Sequence, residues 1–174
     1  REQPSIMNSI LTINGGSSSL KCALFCTTQP QPQLLYSFKI SNILNQPRMK
    51  VIGPDNRLLQ QFQLDFAQLP QELRYQHSLK QVMDWLSEQG LETDIRAISH
   101  RVVHGGSEFI QPMPIDTEVL RQLRSYVALA PLHQPYNLML IEACQRHFPQ
   151  LPQIACFDTM FHAGQSPEAC HFAL

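Results

Sequence analysis

The sequence predicts an α/β domain built on a mixed β-sheet. Short apolar or alternating runs, separated by turn residues, fill the first 66 positions without a helical period. From residue 78 onward, helical spacing alternates with short apolar runs, and strands alternating with helices imply parallel pairing through crossovers. A length of 174 residues with 43% hydrophobic content is enough for one domain with a real core.

Each element has its own signal. Residues 10–14 and 20–26 read as two strands joined by a turn of small residues, and residues 27–33, with Pro30 and Pro32, as a further turn. Leu34 to Ile40 reads as a strand. Met49 to Ile52 and Leu58 to Leu64 flank Gly53-Pro54-Asp55-Asn56 and predict a hairpin. In its second arm Gln61, Gln63 and Asp65 alternate with Phe62, Leu64 and Phe66, the pattern of a half-buried strand. Ser78 to Gln89 places Leu79, Val82, Met83 and Leu86 at helical spacing, and Gly90 stops the helix. Ile95 to Val103 is a strand ending at Gly105-Gly106. Asp116 to Leu129 is a helix with Asp116 as its N-cap and Leu120, Leu123 and Val127 on one face. Asn137 to His147 is another, ended by Pro149, and Gln153 to Phe157 is a short buried strand.

Bulk properties narrow the function. Thirteen basic and fourteen acidic residues give a net charge of -1, which is no footprint for nucleic acid or an anionic membrane. No apolar run approaches the roughly 20 residues of a membrane span. The first nine residues lack the apolar core of a signal peptide, so a cytoplasmic protein is expected. Cys22, Cys26, Cys144, Cys156 and Cys170 are odd in number and form no C-x-x-C, which favours reduced, buried thiols over disulfides or zinc. The seven histidines are scattered, without H-E-x-x-H.

Three clusters can carry chemistry. The first is Asn14-Gly15-Gly16-Ser17-Ser18-Ser19-Leu20-Lys21. Glycines let a backbone approach an anion, serines and amides donate hydrogen bonds, and the Lys adds charge. It is not a P-loop, because the residues after Ser19 run into Thr27-Thr28-Gln29-Pro30 too soon for the helix a P-loop requires. A hairpin folded around a phosphate fits better; a plain Gly/Ser turn is the alternative. The second cluster is Ser99-His100-Arg101-Val102-Val103-His104-Gly105-Gly106. Strand alternation places Arg101 and Val103 on one face and His100, Val102 and His104 on the other. An Arg at an apolar strand end needs an anionic partner, either a small carboxylate held by the guanidinium fork or an internal Asp or Glu. Val103 suits the alkyl group of such an acid. The third cluster joins Ala130-Pro131-Leu132-His133-Gln134-Pro135 to Cys156-Phe157-Asp158-Thr159-Met160-Phe161-His162. Ligand crevices lie at the carboxyl ends of parallel strands, which makes Asp158 a site candidate; a turn cap is the alternative. Pro131 and Pro135 flank His133 and fix its direction; a structural histidine is the alternative.

These motifs, in this order, resemble those of the acetate/propionate kinase family: Asn14-x-Gly16-Ser17-Ser18-Ser19-Leu20-Lys21, His100 to Gly106, Ala130-Pro131-Leu132-His133-x-Pro135 and Phe157-Asp158-Thr159-x-Phe161-His162. The resemblance implies the fold shared by actin, sugar kinases and chaperone ATPases, a ribonuclease H-like mixed five-stranded sheet with helices on both faces. It implies transfer of the ATP γ-phosphoryl to a short-chain carboxylate, acetate or propionate, with Mg2+. It implies that Asn14 lies at the magnesium site and that Gly16, Ser17, Ser19 and Lys21 hold the ATP phosphates. Arg101 then binds the substrate carboxylate, Val103 and Leu132 line its alkyl pocket, His133 lies near the transferring phosphoryl, and Asp158 is the active-site acid. Gly15 stands where the family usually has Cys or Ser, a change without consequence in a turn. Gln134 and Tyr136 replace the usual Asn and Ala and shift His133 slightly. Residues 1–9 are expected to be an N-terminal extension, with Met7 as a natural start. Residues 10–174 are expected to be the N-terminal domain of a longer protein, without its nucleotide domain. The family implies a homodimer, formed mostly by the missing half. A non-catalytic folded fragment and a butyrate kinase are the rival readings.

Overall fold

The computed structural model describes residues 8–102, 112–127 and 134–157. Its sheet is built from β1 (Ser9–Gly15), β2 (Leu20–Cys26), β3 (Gln33–Ser41), β4 (Arg48–Ile52), β5 (Leu58–Gln63), β6 (Ile95–Val102), β7 (Met113–Pro114) and β8 (Gln153–Phe157). Three helices accompany it: α1 (Gln71–Glu88), α2 (Thr117–Val127) and α3 (Gln134–His147). The strand order is β5-β4-β3-β2-β1-β6-β8-β7. Strands β1 to β5 pair antiparallel, whereas β1 with β6 and β6 with β8 pair parallel, as the alternation of strands and helices requires.

The five strands expected from the family form the centre, β3-β2-β1-β6-β8, and the sheet is larger than expected. The β4–β5 hairpin extends one edge, and the two-residue β7, too short to signal itself in the sequence, closes the other. The resemblance implies helices on both faces. Among the described residues, α1 and α3 cover one face and α2 packs beside α3.

Strand alternation explains the core. Leu11 and Ile13, Leu20 and Leu24, Phe38 and Ile40, and Met49 and Val51 point the same way, toward Leu79, Val82, Met83 and Leu86 of α1 and Leu140 and Cys144 of α3. Each such side chain contributes about 2 kcal/mol by leaving water. Burial pushes the Cys22 and Cys144 thiols up, so both are inert and protonated. All four described cysteines are free.

Three expected elements need correction. β5 is exposed along its whole length, not half-buried, because it is an edge strand beyond the helix layer. Gln60 accepts a 2.6 Å hydrogen bond from the Trp85 indole, and just beyond the strand Leu64 is half-buried and Phe66 buried, as the alternation predicts. Helix α1 begins at Gln71 rather than Ser78. Pro70 leads into it with φ -64, an entry proline suits, while polar neighbours hide the helical period around the buried Tyr75. Similarly, α3 begins at Gln134 rather than Asn137, with Pro135 in the first turn, where no backbone N–H is needed. The capping expectations hold. Asp116 Oδ1 accepts the Val119 N–H at 2.8 Å, and Gly90 ends α1 at φ +72, the left-handed region.

His100 sits on the core face of β6 and is 2% exposed. Its Nε2 lies 2.5 Å from Gln153 Oε1. The Gln153 amide nitrogen donates to the Ile141 carbonyl, so its oxygen faces the ring and Nε2–H is the donor. Burial lowers the His100 pKa to about 4, against a smaller upward pull from Gln153.

Two stability effects can be measured. Gly90→Ala should cost about 1 kcal/mol in urea unfolding, because alanine resists the left-handed backbone; an unchanged midpoint would contradict the conformation. An unfolded His100 takes up its proton near the ordinary 6.5 while the folded one resists until about 4. Stability is therefore full above about pH 6.5 and falls as the pH drops toward 4. The urea midpoint should be lower at pH 5 than at pH 7, and His100→Gln should remove part of that dependence. An identical pH profile in the variant would refute the assignment.

Candidate active site

The face of the sheet opposite the helices carries the sequence-predicted cleft residues. Asn14 pairs directly with Lys21 across β1 and β2. Thr12 pairs with Ser99 and Ile13 with the buried His100 across β1 and β6, so Arg101 follows on the same face as Asn14. Asn14, Lys21 and Arg101, together with Thr12, Ser37 and Lys39, line a cleft of about 410 Å3. Its lining holds three cations and no carboxylate.

The turn between β1 and β2 is held by its backbone. The Gly16 N–H donates to the Ser19 carbonyl at 2.8 Å, and the Ile43 N–H donates to the Ser18 carbonyl at 3.0 Å. The Tyr75 hydroxyl donates to the Gly16 carbonyl at 2.6 Å. With these three carbonyls engaged, Ser17 and Ser18 stand exposed and Ser19 partly so, and β2 rather than a helix comes next. That is the geometry of a hairpin cradle, not of a P-loop. A Cβ at Gly16 would lie 2.9 Å from Ser19 Oγ, so any larger residue there would turn the Ser19 hydroxyl aside.

Tyr75 is buried, and its ring stacks on Tyr136 of α3 with centroids 4.4 Å apart. Burial foremost, and then Tyr136, pushes the Tyr75 hydroxyl pKa up, so it remains a donor. The substitution at Tyr136 therefore has a partner, and it ties α3 to the turn. Gly15 is the last residue of β1 and lies under α3. A Cβ there would meet Leu140 Cδ1 at 2.7 Å, so a Cys or Ser at this place requires Leu140 to move. The change at Gly15 thus belongs to packing, which corrects its reading as a turn substitution without consequence.

Asn14, Lys21 and Arg101 thus share one wall, and Gly16, Ser17 and Ser19 lie in the turn that joins the strands carrying Asn14 and Lys21. Val103, Leu132, His133 and Asp158 lie outside the described residues. The elements that lead to them are described: β6 and β8 run side by side, pairing Arg101 with Cys156 and Val102 with Phe157, and α3 starts directly after His133. Sequence reasoning missed Tyr75, because the start of its helix was hidden. It also passed over Lys39 and Lys50, although each sits in a strand at a polar position that alternation makes readable.

A mixed sheet that opens with the antiparallel β1–β2 hairpin and continues through the parallel β6 and β8 belongs to the actin-like ATPase fold class. Within it, a model of the acetokinase family matches residues 9–174, and the chain belongs to that family. It is 38% identical over 167 residues to an acetate kinase of Rhodopseudomonas palustris, covering 95% of this chain and 41% of that protein. It is 39% identical over 171 residues to an acetate kinase of Nitrobacter hamburgensis, covering 97% and 41%. Among solved structures, a propionate kinase from Francisella tularensis superposes with a TM-score of 0.74 at 33% identity, covering 92% of this chain and 39% of that one. The chain thus spans about 41% of the length of the curated relatives it matches.

Tyr75→Phe keeps the stack and removes only the bond to Gly16. It should lower stability by about 1 kcal/mol in urea unfolding. No loss would mean that the hydroxyl does not hold the turn.

Proposed function

We propose that this chain is the acceptor-binding, N-terminal domain of an acetate kinase, which transfers the γ-phosphoryl of ATP to acetate or propionate and yields an acyl phosphate and ADP. The carrying observation is the shared wall: Arg101 lines the same cleft as Asn14 and Lys21, the two residues that flank the Gly16–Ser19 turn. A carboxylate and a phosphate chain are both anions, and this wall offers separate cationic posts for them. The acetate kinase and propionate kinase relatives support the reading.

Phosphoryl transfer needs in-line positioning and charge stabilisation more than covalent help. Arg101 holds the carboxylate in a two-bond fork and offsets charge. Lys21 and the turn hold the phosphates. His133 donates to an equatorial phosphoryl oxygen. Val103 and Leu132 enclose the alkyl group. The acid has a pKa of about 4 to 5 and is already ionised at neutral pH. No base is needed, so Asp158 orients Arg101 or the metal shell.

The residues fit Mg2+ held mainly by phosphates and water. Asn14 lines the cleft and offers a neutral oxygen, and among the described residues no three His, Cys, Asp or Glu side chains gather as a separate metal cage. The ion would neutralise phosphate charge there. No described helix is long and apolar enough to cross a membrane, and the reading is of a cytoplasmic enzyme, homodimeric as the full protein.

The test is acyl phosphate formation from ATP with acetate and with propionate, trapped by hydroxylamine. A protein spanning the relatives' full length should turn over, and the 174-residue chain alone should not. In the full-length protein Arg101→Ala should lower kcat/KM for the carboxylate at least about 100-fold, equivalent to roughly 3 kcal/mol. Asp158→Asn should retain part of the activity; complete loss with metal binding intact would contradict the orienting role. A folded full-length protein inactive on both acids would sink the proposal.

A further inference from the structure

The cation row on the cleft face does not stop at the turn. Lys21 pairs directly with Lys39 across β2 and β3, and Lys39 pairs directly with Lys50 across β3 and β4. Directly opposed residues share one face, so the three lysines form a line that starts at Asn14 and ends at the neutral Gln61 of β5. Strand spacing makes the line about 10 Å long.

Like charges placed directly opposite each other destabilise a sheet, and here two such pairs occur in succession. The side chains of Lys21, Lys39 and Lys50 make no hydrogen bond or ion pair with any described residue, although Lys80, Arg121 and Arg124 are each paired with a carboxylate on the helices. The cleft beside the row has no acidic lining residue, and Lys50 is partly buried rather than freely solvated. In a protein of net charge -1, this concentration of lysine charge is local. It fits an anion longer than one phosphate group, laid across the strands.

We propose that Lys39 and Lys50 extend the phosphate site of the turn into a track for an oligophosphate chain of three or more linked phosphates, either free or carried by a nucleotide. The proposal rests on the reading of the Gly16–Lys21 turn as a phosphate site and adds two binding residues to it. The chain enters at Lys21, and its distal phosphates lie on Lys39 and Lys50. An orthophosphate reaches only one post at a time.

The experiment is calorimetric titration of the protein with orthophosphate, pyrophosphate, tripolyphosphate and ATP at low salt. Tripolyphosphate should bind more tightly than orthophosphate. The double substitution Lys39→Gln with Lys50→Gln should weaken tripolyphosphate at least about tenfold, the loss of roughly one charged contact, and leave orthophosphate nearly unchanged. Lys39→Arg with Lys50→Arg should restore it, and Lys80→Gln should have no effect. Urea unfolding of the glutamine variant should match or exceed the parent, since repulsion has been removed. If ATP shares the loss, the track serves a nucleotide tail; if only tripolyphosphate does, it serves free oligophosphate. Unchanged tripolyphosphate affinity in the glutamine variant, or an equal loss with Lys80→Gln, overturns the proposal. Failure of the turn itself reads differently: Lys21→Gln would then leave every anion's affinity unchanged.

Discussion

The antiparallel pairing of β1 with β2 is the constraint on which the cleft depends. The Gly16 N–H closes on the Ser19 carbonyl, and this short link sets Asn14 opposite Lys21. A slip of one residue turns every side chain of a strand to the other face. Lys21 would enter the helix layer, and Leu20 and Cys22 would face water. The hydrophobic core on one face and the cations on the other therefore enforce the same register. The parallel pairing of β1 with β6 then carries that register to Arg101. Selection for a dry core and for a charged cleft act on one geometric variable.

Much of this is legible in the residues. The central strands are readable because each is a short alternating or apolar run bounded by Gly, Pro or small polar residues. The hairpin nature of the turn is readable because the segment between Ser19 and Thr27 is too short for a helix. The features that escape depend on contacts distant in sequence. Tyr75 lies 59 residues from Gly16, and nothing near it marks its hydroxyl as a clamp. The alternation of Phe62, Leu64 and Phe66 promises a buried face, yet Phe62 on the edge strand β5 stays exposed, and only Leu64 and Phe66 beyond the strand turn inward. The cation row needs register as well as alternation. Each lysine is inconspicuous in its own strand, and only the pairing across three strands lines them up.

His100 and Arg101 are adjacent and yet have opposite surroundings. The first is neutral, buried and bonded to Gln153; the second is exposed on the cleft face. A strand places consecutive residues on opposite sides, and so a single dipeptide joins the core to the cleft face. The polar bond of His100 in the core also ties β6 to β8 at the point where Arg101 pairs with Cys156.

The Tyr75–Tyr136 stack and the Tyr75 hydroxyl join three separate pieces of chain: the turn, α1 and the start of α3. Mechanically, that makes the β1–β2 turn part of the helix layer instead of a free loop. Displacing the turn by itself would break the hydroxyl's bond or slide two packed rings. Motion of the turn must therefore carry α3 with it, including the point just after His133. The turn is thus anchored from behind, by one hydroxyl and one pair of rings, and not by the cleft it borders.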